Sequence, residues 1–497
     1  MKSYNPILRA DAYKIFHVSQ YPEFTQYVYA TWIPRSTYIP EITKVVAFGF
    51  QAFIQRTLIE DFNENFFARP KDEVVGEYRR LIKYAFGVEN PKTDHMEALH
   101  DLGYLPILIK AVPEGTLVPL RVPMLTIENT LPEFFWLTNA LETLMSSELW
   151  QPTTSATISH RYREILNRFA MDTTGTTDGV EFQGHDFSYR GMENTDAAAA
   201  SGAGHLLNFV GTDTIPAILF HERYYGADIE KELVGTSVNA SEHSVMSSYG
   251  KVDERETYRH LITEVQPNGF ISIVSDTWDL WNVLTVIAPS LKEEIMTRDG
   301  RTVFRPDTGN PADIICGTSR KFGEGITPEE KGVVELLWET FGGTANELGY
   351  KVLDSHVGTI YGDSINLERC EDISQRLKDK GFVSTSTVLG LGSFTFQFQT
   401  RDTFGFAMKS TWVQVNGEEQ NISKDPVTDT NHIKKSLTGR VAVVHEYETD
   451  ELIVQERLTR KMEKGHADIN VLQTVFLDGE AQNIQTLSEI RGLLASQ

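Results

Sequence analysis

The chain has 497 residues, enough to bury large cores and to form two or three domains. Its 46 basic and 69 acidic side chains leave a formal charge of −23, with no Lys/Arg block beyond Lys434-Lys435. That balance argues against duplex nucleic acid as a partner and makes any phosphate site a local basic pocket in a negative background.

Two cysteines, Cys316 and Cys370, are too few for a disulfide framework or a zinc site. The opening residues lack the apolar core of a signal peptide, and no apolar stretch is long enough to cross a bilayer. The expectation is a cytoplasmic protein with no membrane partner.

In chain order, the first zone, residues 1–150, mixes short strands with helices. Strands are expected at 27–30 and 45–48, and two more on either side of Pro113-Glu114-Gly115. From 131 to 171 the spacing turns helical, with Phe134, Leu137, Leu141 and Leu144 on one face.

The middle zone, 151–404, has a different rhythm. Apolar runs close in small polar clusters at Asp186, Asp213, Asp276, Asp307, Asp363 and Gly392, most of them followed by a helical stretch. Repeated βα units give a parallel sheet or barrel whose strand C-terminal ends carry the ligand site. Turns after strands are commonly polar for local reasons, but six such ends in one zone predict a shared rim. A glycine- and charge-rich stretch, 317–325, reads as an insertion.

The third zone, 405–497, returns to hairpins. Asn416-Gly417 and Asp478-Gly479 are hairpin turns, 441–454 reads as a further strand pair, and 486–495 as a terminal helix. Residues 1–150 and 405–497 are expected to form one mostly β, α+β domain beside an α/β barrel-like domain of 151–404.

The richest cluster is Arg305-Pro306-Asp307-Thr308-Gly309-Asn310-Pro311, a stiff polar corner presenting a guanidinium beside a carboxylate. Arginine suits phosphate oxygens, and a carboxylate suits sugar hydroxyls or magnesium; taken alone, the pair also reads as a structural ion pair. In His185-Asp186-Phe187-Ser188-Tyr189-Arg190-Gly191, Phe187 offers a stacking face and Arg190 a phosphate contact. Asp213 stands before a helix, where a cap is the ordinary role; it could equally accept a hydrogen bond from an amide. His243, in Ser241-Glu242-His243-Ser244, gains interest from Asp276, a carboxylate able to fix an imidazole tautomer. Gly362-Asp363 and Gly390-Leu391-Gly392-Ser393 could cradle a phosphate on backbone N–H groups. The P-loop, the complete dinucleotide fingerprint and the common zinc motifs are absent from the sequence.

These motifs, with Asp11-Ala12-Tyr13-Lys14, Lys110 to Gly115, Thr400-Arg401-Asp402 and Lys424-Asp425-Pro426, resemble the nicotinamide phosphoribosyltransferases over nearly the whole chain. The resemblance implies an irregular α/β barrel of the type II phosphoribosyltransferases plus a mostly β domain. It implies a homodimer with active sites at the interface, which joins nicotinamide to phosphoribosyl pyrophosphate with magnesium and is enhanced by ATP. By the same resemblance, Phe187 and the partner subunit's Tyr13 sandwich the pyridine ring, and Asp213 accepts from the carboxamide. Arg190, His243 and Arg305 hold pyrophosphate, Asp307 the ribose hydroxyls, and Gly362, Asp363 and Gly392 the sugar phosphate end. Arg35, Arg401, Lys409 and Lys424 match further phosphate positions. His243 is the expected phosphohistidine, supported by Glu242 and Asp276, and magnesium is expected to ride on pyrophosphate rather than on a protein site. One departure stands out: Leu391, Ser393 and Phe394 replace a run of glycines, so Ser393 either substitutes as a donor or weakens phosphate binding. The rival readings are a nicotinate phosphoribosyltransferase and a non-catalytic binding protein on the same fold.

Overall fold

The middle of the chain forms seven strands: β1 (Gly184–Asp186), β2 (Gly211–Thr212), β3 (Asn239–Ala240), β4 (Asn268–Val274), β5 (Asp299–Arg305), β6 (Val357–Tyr361) and β7 (Thr387–Leu391). This is seen in a computed structural model that describes residues 4–424, 428 and 435–497, so Asp425, Pro426 and Lys434 lie outside the described residues. The strand order is β2-β1-β7-β6-β5-β4-β3, and every pairing is parallel. The two edges also meet. Thr236, just ahead of β3, bridges Gly211 of β2 in parallel, and its N–H donates to Val210 O at 2.7 Å while Thr212 N–H donates to Thr236 O at 2.9 Å. The strands therefore follow one another round a ring in chain order.

Parallel neighbours require a return path along the sheet, which favours a helical crossover, and each connection contains one. Thr195–His205 lies between β1 and β2, Ile215–Tyr224 and His243–Tyr249 flank β3, and Leu367–Asp379 joins β6 to β7. The small residues of the first of these helices serve close packing: a Cβ on Gly202 would stand 2.7 Å from Ala217 Cβ. Ile271, Ile273, Val274 and Phe304 pack with Leu284, Leu291, Leu337 and Phe341 in one apolar cluster, each buried side chain stabilising the fold by about 1.5–3 kcal/mol. The barrel belongs to a compact unit of residues 158–219 and 228–398.

A second unit comprises 1–157, 220–227 and 399–497. Its antiparallel sheet takes the strands in the order 418–421, 407–415, 25–33, 125–129, 107–111, 473–477 and 480–481. Both expected hairpin turns are present, with positive φ at Asn416, Gly417, Asp478 and Gly479. The strands on either side of Pro113-Glu114-Gly115 do not pair with each other: Ile107–Ala111 joins 125–129 and 473–477, whereas Leu117–Pro119 joins Lys44–Val46. Residues 220–227, which sequence rhythm alone keeps with the middle zone, group with this second unit. Among the described residues no helix is long and apolar enough to cross a membrane.

Candidate active site

Each barrel strand hands over a site side chain within four residues of its end: Phe187 and Arg190 after β1, Asp213 after β2, Glu242 and His243 after β3, Asp276 after β4, Asp307 after β5, Asp363 after β6 and Ser393 after β7. All but Asp276 line a cavity of about 1100 Å³, together with Arg305, Gly362 and Gly392. A second space of about 560 Å³, walled by residues of the barrel strands, shares Phe187, Asp213 and Arg305 with the first.

The Arg305 corner is built as the turn chemistry predicts. Asn310 caps the helix Pro311–Cys316 by accepting from Ala312 N and Asp313 N, and Gly309 has φ +105. Arg305 donates to Ser241 O at 2.7 Å. Its Nε lies 3.8 Å from Asp307 Oδ1, too far for a hydrogen bond, and both atoms are buried without a hydrogen-bond partner. Asp276 Oδ1 is orphaned in the same way, while Asp276 Oδ2 accepts from the Asp307 backbone at 2.9 Å. Burial pushes the Asp307 carboxyl above its usual range; Arg305 and His243 pull it down, Asp276 and Asp363 push it up. Position 362 has to be bare, because a Cβ there would stand 2.2 Å from Asp307 Oδ1.

His243 opens the helix His243–Tyr249, with Glu242 at its N-cap. Its Nδ1 is 3.1 Å from Thr277 Oγ1, and its Nε2 is 3.9 Å from both Asp276 Oδ1 and Asp307 Oδ2. The ring is half exposed. Glu242 accepts from Ser244 Oγ.

Asp213 does not cap the helix that follows it. Its Oδ1 accepts from Ser237 Oγ at 2.5 Å and pairs with His185 Nε2 at 2.9 Å. Burial pushes its carboxyl up, but His185, Ser237 and Arg305 outweigh that and hold it below the usual value. Arg190 is exposed in the turn Tyr189–Gly191 and has no hydrogen bond or ion pair among the described residues.

At the glycine-poor loop, Ser393 begins a one-turn helix and crowds Gly191, where a Cβ would stand 2.2 Å from Ser393 Oγ. Gly392 faces open space, and Phe394 stacks on Phe398 at 5.4 Å.

The remaining expected residues belong to the other unit and are described there. Tyr13 is exposed and edges His17 at 5.2 Å. Arg35 donates to Gly405 O at 2.8 Å, Arg401 is 3.6 Å from Asp402, and Lys424 is exposed. Burial lowers the Lys409 ammonium; Glu142, 3.7 Å away, raises it, and Arg35, Lys14 and Lys424 lower it further. Glu142 also pairs with Lys14 at 2.7 Å, so two ammonium groups share that carboxylate.

Ser237, Thr277 and the Ser241 carbonyl complete the site without a sequence signal of their own. Thr277 follows Asp276 directly and could have been found from that motif; Ser237 could not, because it is brought in only by the joining of the sheet edges. Among the described residues no cluster of three or more His, Cys, Asp or Glu is arranged to hold a metal ion by itself.

The chain resembles solved structures over almost its whole length. It matches nicotinate-nucleotide pyrophosphorylase from Pyrococcus furiosus at TM-score 0.59 and 15% identity, covering 99% of this chain and 95% of that one. It matches human nicotinic acid phosphoribosyltransferase at TM-score 0.52 and 13% identity, covering 98% and 93%. The fold is that of the type II phosphoribosyltransferases. Residues 182–469 match the nicotinate phosphoribosyltransferase family model, and residues 5–85 the nicotinamide phosphoribosyltransferase N-terminal domain. A nicotinamide phosphoribosyltransferase of Acinetobacter baylyi is 48% identical over 99% of this chain and 97% of its own length. One from Xanthomonas campestris pv. campestris is 31% identical, covering 98% and 97%. The chain belongs to the nicotinamide phosphoribosyltransferase family.

Proposed function

We propose that this enzyme transfers the phosphoribosyl group of 5-phosphoribosyl 1-pyrophosphate to the ring nitrogen of nicotinamide, giving nicotinamide mononucleotide and pyrophosphate in NAD salvage. The observation that carries the choice of substrate is Asp213, an anion held below its usual carboxylate range where the pyridine substituent would lie. A carboxamide NH₂ donates to it, whereas the carboxylate of nicotinate or quinolinate meets like charge.

In the reaction the bond from ribose C1 to pyrophosphate breaks with its electron pair leaving on oxygen, and the ring nitrogen lone pair forms the new C1–N bond. Catalysis is positioning plus stabilisation of the leaving charge. The unpaired guanidinium of Arg190 and the orphaned Nε of Arg305 suit pyrophosphate oxygens. Asp307 Oδ1, also orphaned, suits a ribose hydroxyl, and Gly362, Asp363, Gly392 and Ser393 form the sugar phosphate end. Phe187 stacks on the pyridine ring, with the partner subunit's Tyr13 on its other face in a homodimer.

Magnesium would ride on the pyrophosphate and neutralise the departing charge there, and the unpartnered Asp276 Oδ1 would suit its hard shell. We further infer that ATP phosphorylates His243. Thr277 at Nδ1 leaves Nε2 to take the γ-phosphoryl group as ADP departs, and Asp276 and Asp307 stabilise the charged ring. The cation cluster of Arg35, Lys409 and Lys424 with Arg401 suits further phosphate groups. Two free, buried cysteines are in keeping with a cytoplasmic setting.

The test is product formation from phosphoribosyl pyrophosphate, magnesium and either nicotinamide or nicotinate, with and without ATP. Nicotinamide mononucleotide is expected, with ATP enhancing its formation; product from nicotinate alone overturns the reading.

A further inference from the structure

His185 is the middle residue of β1, opposite Gly390 of β7 on one side and Gly211 of β2 on the other. Both neighbours are bare where a side chain would strike a ring. A Cβ on Gly390 would stand 2.6 Å from Phe187 Cδ2, and one on Gly211 would stand 2.8 Å from His185 Nδ1. Phe187 follows β1 directly and its N–H donates to Leu391 O of β7 at 3.0 Å, so the chain stays extended there; the rings of His185 and Phe187 lie with centroids 4.6 Å apart, tilted by 42°. The same imidazole reaches Asp213 Oδ1 through Nε2 at 2.9 Å. An ionised carboxylate only accepts, so Nε2 carries the hydrogen.

We propose that His185 is the positioning residue of the pyridine subsite, fixing both the Phe187 ring and the Asp213 carboxylate; this rests on the substrate reading above. His185 and Ser237 both bond to Oδ1, leaving Oδ2 without a partner among the described residues. Of the two Asp213 oxygens it is the one left to accept from an incoming carboxamide, and its direction is set from the barrel wall. The recognition of nicotinamide then depends on a side chain that never touches it.

The experiment is steady-state kinetics on purified full-length variants, with KM measured separately for nicotinamide and phosphoribosyl pyrophosphate. His185→Phe keeps a flat ring and removes the donor; it should raise the nicotinamide KM about tenfold or more, the scale of one lost hydrogen bond to a charged group. The phosphoribosyl pyrophosphate KM should stay within about twofold, because only the pyridine end is loosened. His185→Gln returns an N–H near the same place and should recover most of the loss. Ser237 is exposed, so Ser237→Ala tests the same oxygen without touching the barrel wall and should raise the nicotinamide KM alone. An unchanged nicotinamide KM in His185→Phe, or an equal rise in both KM values without rescue by Gln, overturns the proposal. Should His185→Phe fail to fold, an unchanged KM in Ser237→Ala does so. A wild-type enzyme inactive with nicotinamide overturns the reaction itself, whereas an active wild type with unaffected variants overturns only this role.

Discussion

The backbone N–H of Asp307 donates to Oδ2 of Asp276 across 2.9 Å, pinning the end of β5 to the end of β4. The other oxygen of Asp276 stays unpartnered 3.9 Å from His243 Nε2, so one carboxylate divides its work between a turn and a histidine. Asp276→Ala should lower kcat/KM for phosphoribosyl pyrophosphate about a hundredfold by releasing the turn, since small misplacements at a positioned site carry such costs. Asp276→Asn can still accept from Asp307 and should be milder on that measure while weakening the response to ATP. Initial rates of both variants, with and without ATP, separate the two.

Asp213→Asn replaces an acceptor by a group that also donates. The ratio of kcat/KM for nicotinamide over nicotinate should fall at least about thirtyfold, the weight of roughly 2 kcal/mol. Because the Asp213 carboxyl is held below its usual 3.8, its charge persists on mild acidification. Wild-type selectivity should therefore be flat from about pH 8 to 5 in parallel assays with the two pyridines.

His243→Ala should abolish stimulation by ATP and leave slow basal transfer, measured as product formed in the absence and presence of ATP. An unaltered response to ATP in this variant removes the phosphohistidine from the account.

Glu254 is buried with Oε1 unpartnered, and burial, with Asp279 adding to it against Lys251, pushes its carboxyl up to about 7 from 4.5. A raised folded-state value means that stability present below about pH 4.5 is lost as pH climbs through about 7. Glu254→Gln does not titrate, so its melting temperature should gain on the wild type between about pH 4.5 and 7 and keep that advantage above. Thermal scans across that range check it.

The sequence carried the barrel well because β4, β5, β6 and β7 each contain an apolar run closed by an acid or glycine. β3 escaped because it is two residues long and gives no periodicity to read; β2, equally short, was legible only through the run that ends at Asp213. The Arg305 corner was visible through Pro306, Gly309 and Asn310, whose backbone needs are local. Its tether to the Ser241 carbonyl was not, because backbone acceptors leave no mark on residue type. His185 was visible within its motif but silent about its role: only the pairing of β1 with β2, which sets its Nε2 beside Asp213, gives it one.

That closure has a dynamic consequence. The seam between the sheet edges is held by two very short strands and a handful of backbone hydrogen bonds, against seven-residue pairing between β4 and β5. Segments held by few backbone bonds open at lower free energy than the rest of a fold. Residues 236–243 should therefore exchange their amide hydrogens first in the barrel, and substrate would act as a clasp. The arc that carries Ser237 and His243 should gain order when nicotinamide and the phosphates bind, and amide exchange over 236–243, measured with and without the ligands, checks it.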